Sequence, residues 1–132
     1  MLAGGCSCGS VRYEADGPIW HQTICHCATC RRAAGAPMVA WFTVARDGFR
    51  LTAGAPARHR SSPHATRAFC GRCGTQLTFE YDALADEIDL TTCSLDDPGA
   101  AAPQDHTRTS SRLAWVRTRD GLPEYEETRP AR

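Results

Sequence analysis

Lysine is absent from this chain. All fifteen basic residues are arginines, set against fifteen acidic ones for a formal net charge of zero. The arginines are interspersed with the acids and form no basic run. Non-specific nucleic-acid binding needs a concentrated positive face, so the sequence argues against it; a small anionic ligand held by one or two arginines stays open. Long apolar runs are also lacking. Nothing approaches the ~20 apolar residues of a membrane-spanning helix. The start, Met1 to Cys6, is faintly like a lipoprotein cleavage site but lacks the charged and apolar regions of an export signal. The expectation is a cytoplasmic protein with neither a membrane nor a nucleic-acid partner. Aromatics are few: three Trp, four Phe and three Tyr in 132 residues. An apolar content of 42% supports one domain with a modest core, and small cores often lean on metals or disulfides.

What the chain does have is cysteine, eight in all. Seven fall into three clusters: Cys6-Ser7-Cys8-Gly9, Cys25-His26-Cys27-Ala28-Thr29-Cys30 and Cys70-Gly71-Arg72-Cys73-Gly74. Cys93 stands alone. In a reducing compartment such clusters point to metal or catalysis rather than to disulfides. Zinc takes about four ligands in a tetrahedron. Two cysteines two residues apart can turn both sulfurs to one ion, with glycine relieving the turn that follows. The first and third clusters each supply two thiolates, and two plus two fills a closed structural site. The second supplies three, and three protein ligands leave one position open, as in a catalytic zinc. Other readings of the same residues remain: disulfides, a redox Cys-x-x-Cys pair at Cys27/Cys30 or Cys70/Cys73, or a purely structural second site closed by His26, His21 or Cys93. For Cys93 itself the expectation is a buried, inert strand cysteine.

Around the clusters the chain reads as short strands: Val11 to Glu14, Met38 to Val44, Phe49 to Thr52, Thr66 to Phe69, Leu77 to Tyr81 and Ile88 to Thr92. Gly48, Gly54, Pro56, Pro63, Gly74, Pro98 and Gly99 punctuate them. Ala28 to Ala34 is the one helical turn expected in the first half. Residues 96–105 read as a loop, Leu113 to Val116 as a last strand, and 121–132 as a frayed, charged tail. Residues 1–120 then form one mainly β domain.

The motifs resemble those of a known family. Gly5-Cys6-Ser7-Cys8-Gly9-Ser10-Val11-Arg12-Tyr13-Glu14 is similar to the opening motif of the glutathione-dependent formaldehyde-activating (GFA/CENP-V) family. Cys25 to Arg31 resembles its second motif, and Phe69 to Leu77 its third. Asp86-Glu87-Ile88, Ser94 to Pro98, and His106 followed by Ser110, Ser111 and Trp115 fit in the same order. The resemblance implies a β-tent fold, two antiparallel sheets organised around zinc and related to zinc ribbons. It implies two zinc ions per chain: a structural one on Cys6, Cys8, Cys70 and Cys73, and a second on Cys25, Cys27 and Cys30. The activity it implies is that of a carbon–sulfur lyase joining a thiol, glutathione in the named reaction, to formaldehyde to give S-hydroxymethylglutathione.

Zinc coordination deprotonates a thiol near neutral pH, so Cys25, Cys27 and Cys30 are the expected catalytic ligands. Arg31 and Arg32 are candidate clamps for a substrate carboxylate. His26, with His21 and His106 behind it, is a candidate proton carrier. Trp41, Phe79 and Trp115 are candidate pocket walls, while His59 and His64 are expected to be exposed. Two non-enzymatic readings compete: a zinc module that binds a partner, and a thiol or metal sensor in which the second cluster loses its ion on oxidation.

Overall fold

A computed structural model describes residues 1–130 of the chain. Its ten strands are β1 (Leu2–Gly5), β2 (Arg12–Ala15), β3 (Ile19–Cys25), β4 (Val39–Ala45), β5 (Phe49–Ala53), β6 (Ala57–Ser62), β7 (Ala65–Phe69), β8 (Gln76–Tyr81), β9 (Glu87–Thr91) and β10 (Asp105–Thr107), with one helix, α1 (Ala28–Ala34). They form two sheets, a small one ordered β1-β2-β5 and a large one ordered β10-β3-β4-β9-β8-β7-β6. The mainly β, two-sheet expectation holds, with one correction: β10 pairs with β3 in parallel. Returning at the far end of the chain, β10 meets β3 by a long connection, and such a connection leaves the strand direction free. No helix among the described residues is long and apolar enough to cross a membrane.

The period-two alternation of the strands divides the large sheet into two faces. Phe42 and Val44 of β4 and Ile88 and Leu90 of β9 point into the hydrophobic core, where Tyr13 and Ala15 of the small sheet meet them, and Leu77 of β8 joins them at the register shift between β7 and β8. Trp41 and Thr43 of β4, Phe79 of β8 and Asp89 of β9 face a cleft on the other side. This is why β4 reads as a continuous apolar run: it is buried on both faces. The sheets also meet at Gly4, whose backbone bridges to Leu95. A Cβ there would lie 2.5 Å from both the Ser94 carbonyl oxygen and the Tyr13 hydroxyl, so only glycine lets β1 pass this close.

Three expectations are corrected. Cys93 is exposed, in a 3-10 turn over Thr92–Ser94 rather than a strand; the chain bends just after β9, which turns Cys93 outward and its neighbours Thr92 and Ser94 inward. Leu113 to Val116 is a turn closed by the Val116 amide donating to the Leu113 carbonyl, not a strand. The segment after residue 120 does not fray along its described length. It lies along β10: the His106 amide donates to the Pro123 carbonyl, the Tyr125 amide to the His106 carbonyl, and the Arg108 amide to the Glu127 carbonyl. Covering an open sheet edge satisfies backbone groups that the composition of the tail does not reveal. Ala131 and Arg132, also part of the expected frayed tail, lie outside the described residues.

Candidate metal centres and the cleft

The first centre is built from two knuckles on different sheets. Cys6 and Cys8 follow β1, and Cys70 and Cys73 lie in the β7–β8 turn. Each knuckle closes on a glycine in the left-handed region, Gly9 at φ 79° and Gly74 at φ 83°, whose amides return to the Cys6 and Cys70 carbonyls. The four sulfurs lie within 4.8 Å of one another. Sulfurs at 2.3 Å from a tetrahedral ion stand ~3.8 Å apart, and the Sγ atoms of Cys6 and Cys8 are 3.6 Å apart, those of Cys8 and Cys70 3.8 Å. Amides point at the sulfurs: Val11 to Cys6 at 3.2 Å, Arg72 and Cys73 to Cys70 at 3.4 Å each. Such donors favour thiolate over thiol. The Val11 amide, opposed by burial and helped by Ser10, lowers Cys6 to about 7, and the Thr75 hydroxyl and amide lower Cys73 to about 5. The donor set fits a closed tetrathiolate site and suits zinc.

The second centre is local. Cys25 ends β3, Cys27 is the N-cap of α1 and Cys30 lies in its first turn. The Cys27 sulfur accepts from the Cys30 amide at 3.4 Å and contacts the Thr29 hydroxyl at 3.3 Å. The three sulfurs also lie within 4.8 Å of one another. Thiols this close cannot all ionise without a cation between them. Hydrogen bonds from Cys25 and then Cys30 hold the Cys27 thiol far below the usual range, while Cys27 and Cys30, with burial, push Cys25 far above it. The set fits a soft dication held by three thiolates. Two clusters thus suit metal ions, and both suit zinc.

All three of these cysteines line the cleft, a cavity of about 910 Å³. Trp41 and Phe79 wall it, meeting edge to face at 6.2 Å between centroids, and His21 lines it with a positive φ of 51° at a bulge in β3. Trp115 is 69% exposed and contributes nothing to it. Arg31 and Arg32 sit in the last turn of α1 and are not among the lining residues. His26 is fully buried behind the ligand loop. Its amide donates to the Thr107 carbonyl, and its Nε2 meets His106 Nδ1 at 2.9 Å; His106 Nε2 meets Asp120 Oδ2 at 2.8 Å. Burial lowers the His26 pKa, and the His106 hydrogen bond lowers that of Asp120. His59 and His64 are exposed, as expected.

Arg67 is the residue that sequence reasoning passed over. From β7, it reaches across Phe79 to the sulfurs, with Nη2 donating to Thr29 Oγ1 at 3.3 Å and to Cys30 Sγ at 3.5 Å. No local motif announces it; its placement follows from the β7–β8 register, which sets Arg67 opposite Phe79.

Comparison with known proteins agrees with this architecture. An uncharacterised lyase of Schizosaccharomyces pombe is 31% identical over 78 residues, 59% of this chain and 56% of that protein, so the match spans little more than half of that relative. The crystal structure of a Rhodobacter sphaeroides protein shares the fold, with a TM-score of 0.59 and 22% identity over 93% of this chain and 98% of that one. A family model described as glutathione-dependent formaldehyde-activating enzyme matches residues 1–111, and with the matched span reaching from the first cysteine knuckle past β10, the chain belongs to that family.

Proposed function

We propose that this protein is a zinc-dependent carbon–sulfur lyase acting on a small thiol and an aldehyde, of the type that condenses glutathione with formaldehyde to S-hydroxymethylglutathione. The observation that carries this reading is the contrast in donor number: four sulfurs complete one centre, while three line the floor of a cleft and leave a tetrahedral ion one ligand short. Cys6, Cys8, Cys70 and Cys73 would hold the structural ion, and Cys25, Cys27 and Cys30 the second. Bound there, zinc supplies an open position at which a substrate thiol loses its proton near neutral pH.

In the condensation, the thiol sulfur bonds to the aldehyde carbon, the carbonyl π bond breaks, and its oxygen takes up a proton. The chain's own residues prepare that step. Trp41 and Phe79 wall the cleft with apolar surface beside the sulfurs and limit competing water. The His26–His106–Asp120 chain fixes the loop carrying Cys25 and Cys27 from behind. A cleft of about 910 Å³ has room for a peptide-sized thiol together with a small aldehyde.

The test is turnover and metal content together. Wild-type protein purified without chelator should hold two zinc ions per chain and accelerate exchange between ¹³C-formaldehyde and glutathione, followed by NMR. Cys27→Ser and Cys30→Ser should keep the fold and one ion and lose the acceleration by at least ~10²-fold. Full activity in either variant overturns the assignment.

A further inference from the structure

Arg67 is the one buried charged side chain on the cleft wall among the described residues, at 6% exposure. Its guanidinium carbon lies 4.9 Å from the Phe79 ring centroid and 5.9 Å from that of Trp41. Nη2 holds Thr29 Oγ1 and Cys30 Sγ, whereas Nε and Nη1 have no hydrogen-bond partner. A guanidinium keeps its charge at any physiological pH, and burying it is costly unless an anion stands beside it. Ring faces offset part of that cost. The group beside it that becomes anionic when the three cysteines hold a metal ion is the Cys30 sulfur.

The charge balance then gives Arg67 a role. Three thiolates on a divalent ion carry one net negative charge; a fourth thiolate doubles it, next to Cys30 and Arg67, which are both buried and so less screened by water. A fixed positive charge 3.5 Å from Cys30 Sγ offsets the added charge and does nothing for a neutral ligand. We infer that Arg67 determines the ligand class at the open position, favouring anionic sulfur ligands over neutral nitrogen ones. The inference rests on the proposed reading of Cys25, Cys27 and Cys30 as an incomplete ligand set. Arg67 acts here through Cys30 as a specificity residue. Its hydrogen bond also withdraws charge from that ligand, which strengthens the attraction for a fourth donor.

The experiment uses the full chain loaded with two equivalents of cobalt(II), whose visible absorption reports what binds each centre. Two probes are titrated, 2-mercaptoethanol and imidazole, into wild type, Arg67→Gln and Arg67→Lys. Wild type should bind mercaptoethanol more tightly than imidazole. R67Q should weaken mercaptoethanol by about 10- to 100-fold while changing imidazole by less than about threefold, and R67K should recover most of the difference through charge alone. The unchanged tetrathiolate spectrum of the first centre certifies that a variant has folded. Equal losses for both probes in R67Q, or tighter imidazole than mercaptoethanol in wild type, overturn the inference and leave the lyase reading standing; the second of these needs no variant. If wild type takes up both cobalt ions and neither probe alters the second spectrum, the protein itself fills the fourth position, and both readings fall.

Discussion

The two cysteine centres use the same chemistry for different structural ends. In the first, Cys8 and Cys70 are 62 residues apart, belong to different sheets, and have Cys6 and Cys70 packed in the hydrophobic core. In the second, all three sulfurs come from six consecutive residues, and the three cysteines line a cleft. Closing a loop of about 60 residues costs ~2 kcal/mol more chain entropy than closing one of about five, so an ion at the first centre holds together what the chain alone does less well. An ion at the second orders little that β3 and α1 do not already order. In the proposed reading, the site that ties the fold is closed, and the site that admits a ligand is built where losing its ion leaves the core intact.

Breaking the first centre should therefore have the largest effect. Cys70→Ser removes a buried ligand that receives two backbone amides and should abolish folding or cost several kcal/mol, since structural zinc supplies folding energy outright. Cys27→Ser, the same chemical change at the second centre, should cost no more than ~1 kcal/mol. Thermal unfolding followed by circular dichroism compares them directly. Equal midpoints for the two variants would collapse the distinction between a tying and an admitting site.

This distinction was half legible in the sequence. The cysteine clusters and helix α1 were readable because thiolate spacing and short-range periodicity are local. Strands β2, β4, β5, β7, β8 and β9 were readable because their apolar residues repeat over four to seven positions. The strands that escaped carry other signals. β1 contains two glycines, Gly4 kept for close approach to Tyr13 and Ser94 and Gly5 for close approach to Val11 and Arg12. β3 is interrupted by a bulge at His21, and β6, an edge strand, is Arg-His-Arg-Ser-Ser for most of its length. β10 has three residues and exists through its pairing with β3 and the tail. Arg67 escaped for the same reason as β10: its meaning lies in which residues a long-range register brings beside it.

A smaller break tests whether the second centre depends on its backing. His106 is fully buried and links His26 to Asp120. His106→Ala leaves a cavity and strips His26 of its ring partner, a combination that costs roughly 2–4 kcal/mol. Ion affinity at the second centre should fall by about 10-fold or more while the first is unchanged, as chelator competition on the two-ion protein would measure. Equal weakening of both centres would mean that His106 supports the fold in general and not this loop.

The smallest effect sharpens the contrast from the side of the first centre, where the sheets meet without any cysteine. Tyr13 is buried in the core, and its hydroxyl lies 2.7 Å from Ser94 Oγ. Burial, partly opposed by Ser94, pushes its pKa up to about 12. The folded state thus holds the phenolic proton more tightly than the unfolded chain, where the group ionises near ~10. Its contribution to stability is intact below pH ~10 and is lost as pH rises from ~10 to ~12, by up to ~2.7 kcal/mol for a shift of two units. Tyr13→Phe should cost about 1 kcal/mol at pH 7, the value of one hydrogen bond, and should flatten the alkaline decline measured by urea unfolding of the zinc-loaded protein. An alkaline decline as steep in Tyr13→Phe as in wild type would place the sensitive group elsewhere than at this contact between the sheets.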